Sequence, residues 1–515
     1  MTGRFTLLDL AVLVAYLVGT TALGMWLGRG QKDAKDYFVA SQAIPWWAIL
    51  FSVVATETSA LTFISIPGLA YLTDFSFLQV AVGYLLGRVV IAYTLLPRYY
   101  QGELVTAYAM LERRFGLSTR RVASITFMVT RAFGDTVRVF ATAIPVGLII
   151  APLLPPSLVG WVTPLSILIL GLFTLVYTYH GGMRAVVWTD VLQTGIYVLG
   201  GVAALYLIGR GVDGGWGTIL DAASGEGKLR VIDTYAGIDR PHTLWAGLIG
   251  GAFLSMASHG ADQLIVQRLL ASGNLRDARI SLIGSGVVVI AQFALFLLIG
   301  VGLWRFYGGQ EFPSADAIFP RFIVEVMPPG LTGLVIAAIL AAAMSTVSGA
   351  LNSLAAATMH DIYLPLTGKS AEGAGVLRTS KLFTLAWAAV LIGGAMLYPD
   401  DPKRPVVVVA LPIASFTYGG LLGAFFLALG WKRAVQRDAI TGMLVGIGTM
   451  TFIVFSKPLS AWSTTLAPVL APFTRIAWPW YVLIGTSITL AVGILSSFTH
   501  GTPRAAPARA PEARA

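Results

Sequence analysis

The sequence predicts an all-α integral membrane protein of about 13 transmembrane helices, and three observations carry that expectation. Of 515 residues, 56% are hydrophobic and only 12% charged, where a soluble domain carries about 25% charged residues. Apolar runs of about 20 residues, the length that crosses a hydrocarbon core, recur along the chain. Glycine is abundant, at 56 residues, and small residues let membrane helices approach closely.

The runs fall near 5–28, 46–71, 76–97, 122–152, 160–179, 184–209, 244–267, 277–306, 331–365, 379–398, 405–430, 437–456 and 477–499. The first is too long for a signal-peptide core, contains Asp9 and lacks a small-residue cleavage site, so it reads as a retained helix. The second cannot stay helical: Thr56-Glu57-Thr58-Ser59 interrupts its apolar flanks, and Pro67-Gly68 follows. Unpaired peptide groups survive at membrane depth only where they line an enclosed cavity. An intramembrane Glu is equally costly without a function. The run 122–152 holds Arg131, Asp135 and Arg138 at i, i+4 and i+7, on one helical face. Either the three form internal ion pairs, or one arginine pairs with Asp135 and the other grips an anionic substrate. In 331–365, Ser345, Ser348 and Asn352 share one face, with Thr346 beside them. Such hydroxyls either bond back to their own helix or, opposite freed carbonyls, supply the neutral oxygens a hard cation prefers.

Between the spans, 211–243 and 307–330 are long, rich in Gly, Asp and Pro, and suited to short lids; the tail 501–515 is expected to be disordered. Loop arginines and lysines number 21 on one side and 11 on the other, with three inside spans. That bias places the N-terminus outside and the C-terminus in the cytoplasm of a plasma (inner) membrane. The net charge of +10 sits at helix ends rather than in one basic domain, so no nucleic-acid partner is expected. Zero cysteines exclude disulfides and thiolate chemistry. His180, His242, His259, His360 and His500 show no metal spacing, and no phosphate loop or nucleotide-binding domain is present. An enzyme is not expected, nor transport driven by ATP.

Four segments in order carry a further resemblance: SQAIPWWAILFSVVATETSA with FISIPGLAY, GGMRAVVWTDVLQ (181–193), DQLIVQRLLA (262–271), and AAAMSTVSGALNS with MHDIY (341–363). Over about residues 5–455 the chain resembles the sodium:solute symporter family of sodium–glucose, sodium–proline and sodium–sialic acid transporters. The resemblance implies a LeuT-like 5+5 inverted repeat: an extra N-terminal helix in 1–30, five-helix repeats at 46–210 and 244–430, and two accessory helices in 436–500. It implies a sodium site made by backbone carbonyls of Ala55, Thr58 and Ala342 and hydroxyls of Ser345 and Thr346. A second cation site in some members corresponds to Asp190, Ser345 and Ser348, but its last hydroxyl position is Gly349 here. One sodium is therefore the expectation, with Asp190 alternatively a proton or gating residue or a partner of Arg184.

Glu57 stands where proline transporters of the family carry Asp, and is expected in the outer shell of the ion site or as a helix-terminus carboxylate. Asp262 and Gln263 match a segment that meets sugar hydroxyls in sugar transporters, and Thr62 stands in place of a sugar-binding glutamine. With Arg131, Asp135 and Arg138 these are the expected substrate residues. The function implied is sodium-coupled import of a small organic solute, a sugar, sugar acid or other carboxylate rather than an amino acid, by alternating access. Coupling to protons on the same fold, or a transporter-like sensor, are the alternatives. The sequence leaves the oligomeric state open.

Overall fold

The computed structural model describes residues 5–29, 31, 33–40, 44–101, 104–151, 154–398, 406–463 and 465–501. The expected tail beyond 501, and Arg4, Lys32, Lys403, Arg404 and the tail arginines that enter the charge bias, lie outside them. The described residues form helices and connecting segments; their one β-type pairing is an isolated bridge, Ile44 to Ser272.

The principal helices are α1 (Leu7–Leu27), α2 (Trp46–Glu57), α3 (Ala60–Leu72), α4 (Leu78–Tyr93), α5 (Leu117–Ile150), α6 (Val162–Gly211), α7 (Gly251–Gly260), α8 (Gln263–Leu270), α9 (Leu275–Phe306), α10 (Leu331–Ala357), α11 (Ala374–Met396), α12 (Val406–Gly430), α13 (Gln436–Trp462) and α14 (Trp480–Ser497). Each of the thirteen expected runs contains a helix. Among the described residues, seven helices are long and apolar enough to cross a membrane alone, and the bent pair α2–α3 passes the same test when taken together as one span. The difference has local causes. Helix α4 has only 16 residues, α5 carries three of its five charges, Arg131, Asp135 and Arg138, mid-length, and α6 fuses two expected runs into 50 residues.

Backbone chemistry explains the breaks. Helix α2 ends at Glu57, Thr58 is extended, and Ser59 restarts the chain as the N-cap of α3 with a reciprocal Ser59–Thr62 capping box. The two halves diverge by 62°. A second break was not foreseen: the expected continuous run 244–267 stops at Gly260, and Asp262 caps α8 by accepting from the Leu264 amide at 2.8 Å. Each expected repeat therefore opens on a broken helix. Within α6, Gly182 has φ +52°, and an added Cβ would collide with the Tyr37 carbonyl, so only glycine fits this kink. The long loops 211–243 and 307–330 each hold a short helix, Gly215–Gly225 and Ile318–Val326.

Asp9, unusual in an apolar run, caps two helices. Its side chain accepts from Thr6 in a capping box for α1, and from the Gly330 and Gly333 amides at 2.7 and 2.8 Å at the start of α10. Helix α10 forms the centre of the bundle: 94% of its apolar stretch is buried, against 33% for α1 and α14. It packs against α6, α1, α5, α8 and both halves of the broken helix. Helix α4 packs on α7 and on the helical turn Ala246–Gly250 that precedes it through Gly83 and Gly87, whose missing side chains admit the Gly247 and Ala252 carbonyls.

A candidate ion and solute site at the first helix break

The capping box that restarts α3 also strips two carbonyls of their helical partners. The Ser59 amide, which in a continuous helix would bond to Ala55, points to Thr62 Oγ1 at 3.4 Å. The Thr62 amide, which would bond to Thr58, points to Ser59 Oγ at 3.3 Å. Ala55 and Thr58 are the two positions on this helix that the resemblance singles out for sodium. Thr58 is held in place from both sides: its hydroxyl donates to the Val54 carbonyl (3.0 Å) and accepts from Gln292 Nε2 (2.6 Å).

On α10, Ser345, Thr346 and Ser348 are buried. Thr346 donates to the Ala342 carbonyl at 3.2 Å and Ser348 to the Ser345 carbonyl at 3.0 Å, so both bond back to their own helix. Their oxygens keep lone pairs for a cation. Ser345 reaches outward, donating to Asp190 Oδ1 at 2.6 Å. Ser52 on α2 donates to Asp190 Oδ2 at 2.5 Å. One carboxylate on α6 thereby ties the first half of the broken helix to the hydroxyl face of α10. Asp190 does not pair with Arg184; its partner is Arg268, with Nη2 3.1 Å from Oδ2. Arg268, one of the 21 loop charges assigned to the cytoplasmic side from the sequence, is fully enclosed and is not a loop charge.

Glu57, at the end of α2, turns toward α4 and forms a salt bridge with the buried Arg88. It is thus an ion-paired carboxylate and not one satisfied by helix amides. Arg88 also donates to Ser285 on α9 at 2.9 Å, while its Nε has no protein partner. His259 Nε2, also without a hydrogen-bond partner, stands 3.9 Å from the Glu57 carboxylate. Four helices thus converge on the break. Arg88, Arg268, Ser52, Gln292 and His259 were not among the expected site residues. A lone arginine inside the apolar run of α4 was the available signal for Arg88.

The expected substrate residues fare differently. Arg131 pairs with Asp262 (2.6 Å) and, more loosely, Asp135 (3.5 Å); Arg138 pairs with Asp135 at 3.3 Å. Tyr418 also donates to Asp262, at 2.7 Å. Two guanidiniums face two carboxylates, so the surplus positive charge expected of the trio is cancelled by Asp262 from across the fold. Arg131 is not free to grip an anion, and Asp262 is spent on it and on capping α8. Gln263 holds the 105–107 segment, accepting from the Ala107 amide and donating to the Val105 carbonyl, at 2.8 and 2.9 Å. Thr62 serves the capping box beside the break. The titratable cluster holds no group of three or more His, Cys, Asp or Glu suited to a transition metal among the described residues.

An all-helical bundle with a broken helix facing a hydroxyl-lined one is the architecture of a LeuT-type secondary transporter. The sodium:solute symporter profile matches residues 37–446, and the chain belongs to that family. It is 30% identical over 454 residues to the sodium/sialic acid symporter SiaT of Proteus mirabilis, covering 86% of this chain and 88% of that one. Against the sodium-dependent multivitamin transporter of Oryctolagus cuniculus it is 29% identical, covering 95% and 77%. The substrate-bound, outward-open structure of a Na+-coupled sialic acid symporter superposes with TM-score 0.83 at 26% identity, over 97% of this chain and 99% of that one. The family and these relatives are membrane transporters, which points away from an enzyme. Sodium and a small organic solute are the partners the family supports.

Proposed function

We propose that this chain is a sodium-coupled symporter that imports a small organic solute, a sugar, sugar acid or other carboxylate, by alternating access across the plasma membrane. The reading includes the N-terminus outside, the C-terminus in the cytoplasm, and inverted repeats at 46–210 and 244–430. The observation that carries it is the Ser59–Thr62 capping box, which diverts the two amides that would otherwise occupy the Ala55 and Thr58 carbonyls. Those carbonyls, with that of Ala342 and the hydroxyls of Ser345 and Thr346, form the sodium site: neutral oxygens on two elements that move apart when the carrier rocks. Sodium then favours the state in which both elements are together, and differential affinity of this kind is what drives a conformational equilibrium.

The solute lies beside the break, against the Glu57–Arg88 ion pair. An acidic solute adds one negative charge to the neutral Glu57–Arg88 pair, and the bound sodium offsets it. Charge balance in a low-dielectric cavity therefore couples the two ligands. The unpartnered Arg88 Nε and the sialic acid carried by one relative both support an acid.

A thermal-shift screen of sugars, sugar acids, amino acids and short carboxylates, in sodium and in choline, tests the proposal. The expected result is stabilisation by an acid only when sodium is present, followed by uptake of that acid into proteoliposomes under an inward sodium gradient. Equal uptake in sodium-free acidic buffer would mean proton coupling, and a neutral sugar binding better than every acid would remove the acid assignment.

A further inference from the structure

We propose that the segment 34–40 is a plug that closes the route from the sodium site to the cytoplasm, and that the route itself runs past Asn352, Gln267 and His360. The inference rests on the sodium reading above and deepens it by naming the path by which the ion leaves.

Three buried side-chain atoms on the far side of the ion site have no hydrogen-bond partner: Asn352 Nδ2, Gln267 Oε1 and His360 Nε2. A buried polar group left unpaired costs more than an ordinary hydrogen bond contributes, so three of them in one region call for a cause. Asn352 shares a face of α10 with Ser345 and stands about 10 Å further along it, at 1.5 Å per residue. Gln267 on α8 meets it there, its Nε2 donating to Asn352 Oδ1 at 2.8 Å. His360 follows about two turns later, in the helical turn Thr358–Tyr363 that continues α10. A row of unpaired polar atoms leading away from an ion site is a path ready for water, which supplies the missing partners when the path opens.

The segment 34–40 is what keeps this row dry. It joins two membrane helices and would ordinarily be exposed, yet Ala34, Tyr37, Phe38 and Ala40 are completely enclosed. The Phe38 carbonyl accepts from Gln267 Nε2 at 2.7 Å, and the Phe38 ring meets the His360 ring edge-on with centroids 5.6 Å apart. Tyr37 and Phe38 pack on Ala355, Ala356 and Met359 of the same α10 stretch. The Tyr37 hydroxyl donates to the Thr178 carbonyl on α6 at 3.2 Å and shares a hydrogen bond with Thr384 on α11 at 3.1 Å. The short helix Ala34–Val39 is thereby seated against α6, α8, α10 and α11. It ends at Ala40 with φ +50°, the one non-glycine residue at positive φ among the described residues. That conformation is unfavourable for an L-residue and persists where surrounding contacts impose it. The plug precedes α2, the helix that ends in the Ala55 and Thr58 carbonyls. When α2 parts from α10, the ion loses ligands and the plug loses its seat in one movement.

The chain has no cysteine, so single introduced cysteines report on the path. Met359→Cys lies directly under the plug and Asn352→Cys lies nearer the ion site. Each is labelled with a cationic methanethiosulfonate in purified protein, in sodium and in choline at equal ionic strength. Sodium is expected to slow labelling at both positions severalfold, because it holds α2 against α10. Phe38→Ala in either background is expected to raise the rate in sodium about tenfold or more, since truncating a buried phenylalanine costs well over the free energy of one factor of ten. A cysteine at Thr499, on the exposed end beyond α14, is expected to label at one rate throughout. Labelling at 359 that ignores both sodium and Phe38→Ala overturns the plug, as does a Thr499 rate that rises in parallel. Labelling that responds at 359 but never at 352 overturns the route. If Phe38→Ala does not elute as a folded monodisperse species, Phe38→Leu replaces it, and the sodium response of the two reporters decides in either case. Sodium that raises the melting temperature without slowing the labelling defeats this inference alone; sodium that changes neither removes the ion site, and the route with it.

Discussion

Glu57 and Arg88 show how a costly pair of residues becomes a feature of the site. Neither charge is stable alone at this depth, and removing one partner of a buried pair typically costs about 3–5 kcal/mol. Arg88→Met should therefore lower thermal stability by an amount of that order, and Arg88→Met/Glu57→Gln should recover most of it. Scanning calorimetry of the two variants checks this; equal loss in both would mean that the loss does not come from an orphaned Glu57 charge. Both variants should also lose the sodium-dependent stabilisation by solute. At the ion site the expectation differs, because the hydroxyls of α10 are satisfied without any ion. Ser345→Ala and Thr346→Ala should leave stability in choline nearly unchanged for Thr346 and lowered for Ser345, whose hydroxyl also bonds Asp190. Both should abolish the extra stability conferred by sodium. An unaltered sodium response in either would take that residue out of the site.

Interruptions of the helices determine where chemistry is possible. The kink at Gly182 places α6 so that Asp190, two turns later, faces α2 and α10. Backbone at φ +52° and ψ −149° is essentially open to glycine alone and costs another residue about 1–3 kcal/mol, and the Tyr37 carbonyl leaves no room for a Cβ. Gly182→Ala should therefore destabilise by at least that amount and weaken the sodium response, measured as a lower melting temperature with a smaller sodium shift. Outside the membrane, the 211–243 segment is pinned onto the α3–α4 turn: Arg230 pairs with Asp74 at 2.7 Å and its carbonyl accepts from Phe75. Burial opposes ionisation of Asp74, but hydrogen bonds from Ser76 and the Arg230 guanidinium outweigh it and hold the carboxyl below its usual 3.8. A depressed carboxyl contributes stability that is complete above its unfolded value and is lost as pH falls through the folded one. Hydrogen exchange in 228–244 should thus stay slow at neutral pH and accelerate below about pH 4, with Asp74→Asn already fast at pH 7.

At the scale of the whole molecule, the orientation expected from the loop charges has a direct test. The chain has no cysteine, so single introduced cysteines report without background. A cysteine at Thr218 should react with an impermeant maleimide on intact cells, and one at Thr499 only after permeabilisation; the reverse pattern would invert the topology. The broken helices α2–α3 and α7–α8 belong to opposite expected repeats, and α2, α3 and α8 each pack against α10.

Membrane character, the helical class, the first break and the hydroxyl face of α10 were all legible in the chain, because each depends on residues within a few turns of one another. Hydrophobic length, a capping box and helical periodicity are local properties. The second break was less legible: Asp262 looked like a solute ligand until the fold showed it capping α8 and meeting Arg131. Only the tertiary structure decided which charges meet. Glu57 finds Arg88 31 residues away, Asp190 finds Arg268 78 away, and Arg131 finds Asp262 131 away. A buried charge must find a partner in space, and no periodicity encodes which of several distant candidates the packing will deliver; that selection moved the candidate solute anchor from α5 to α4 and placed an arginine beside Asp190.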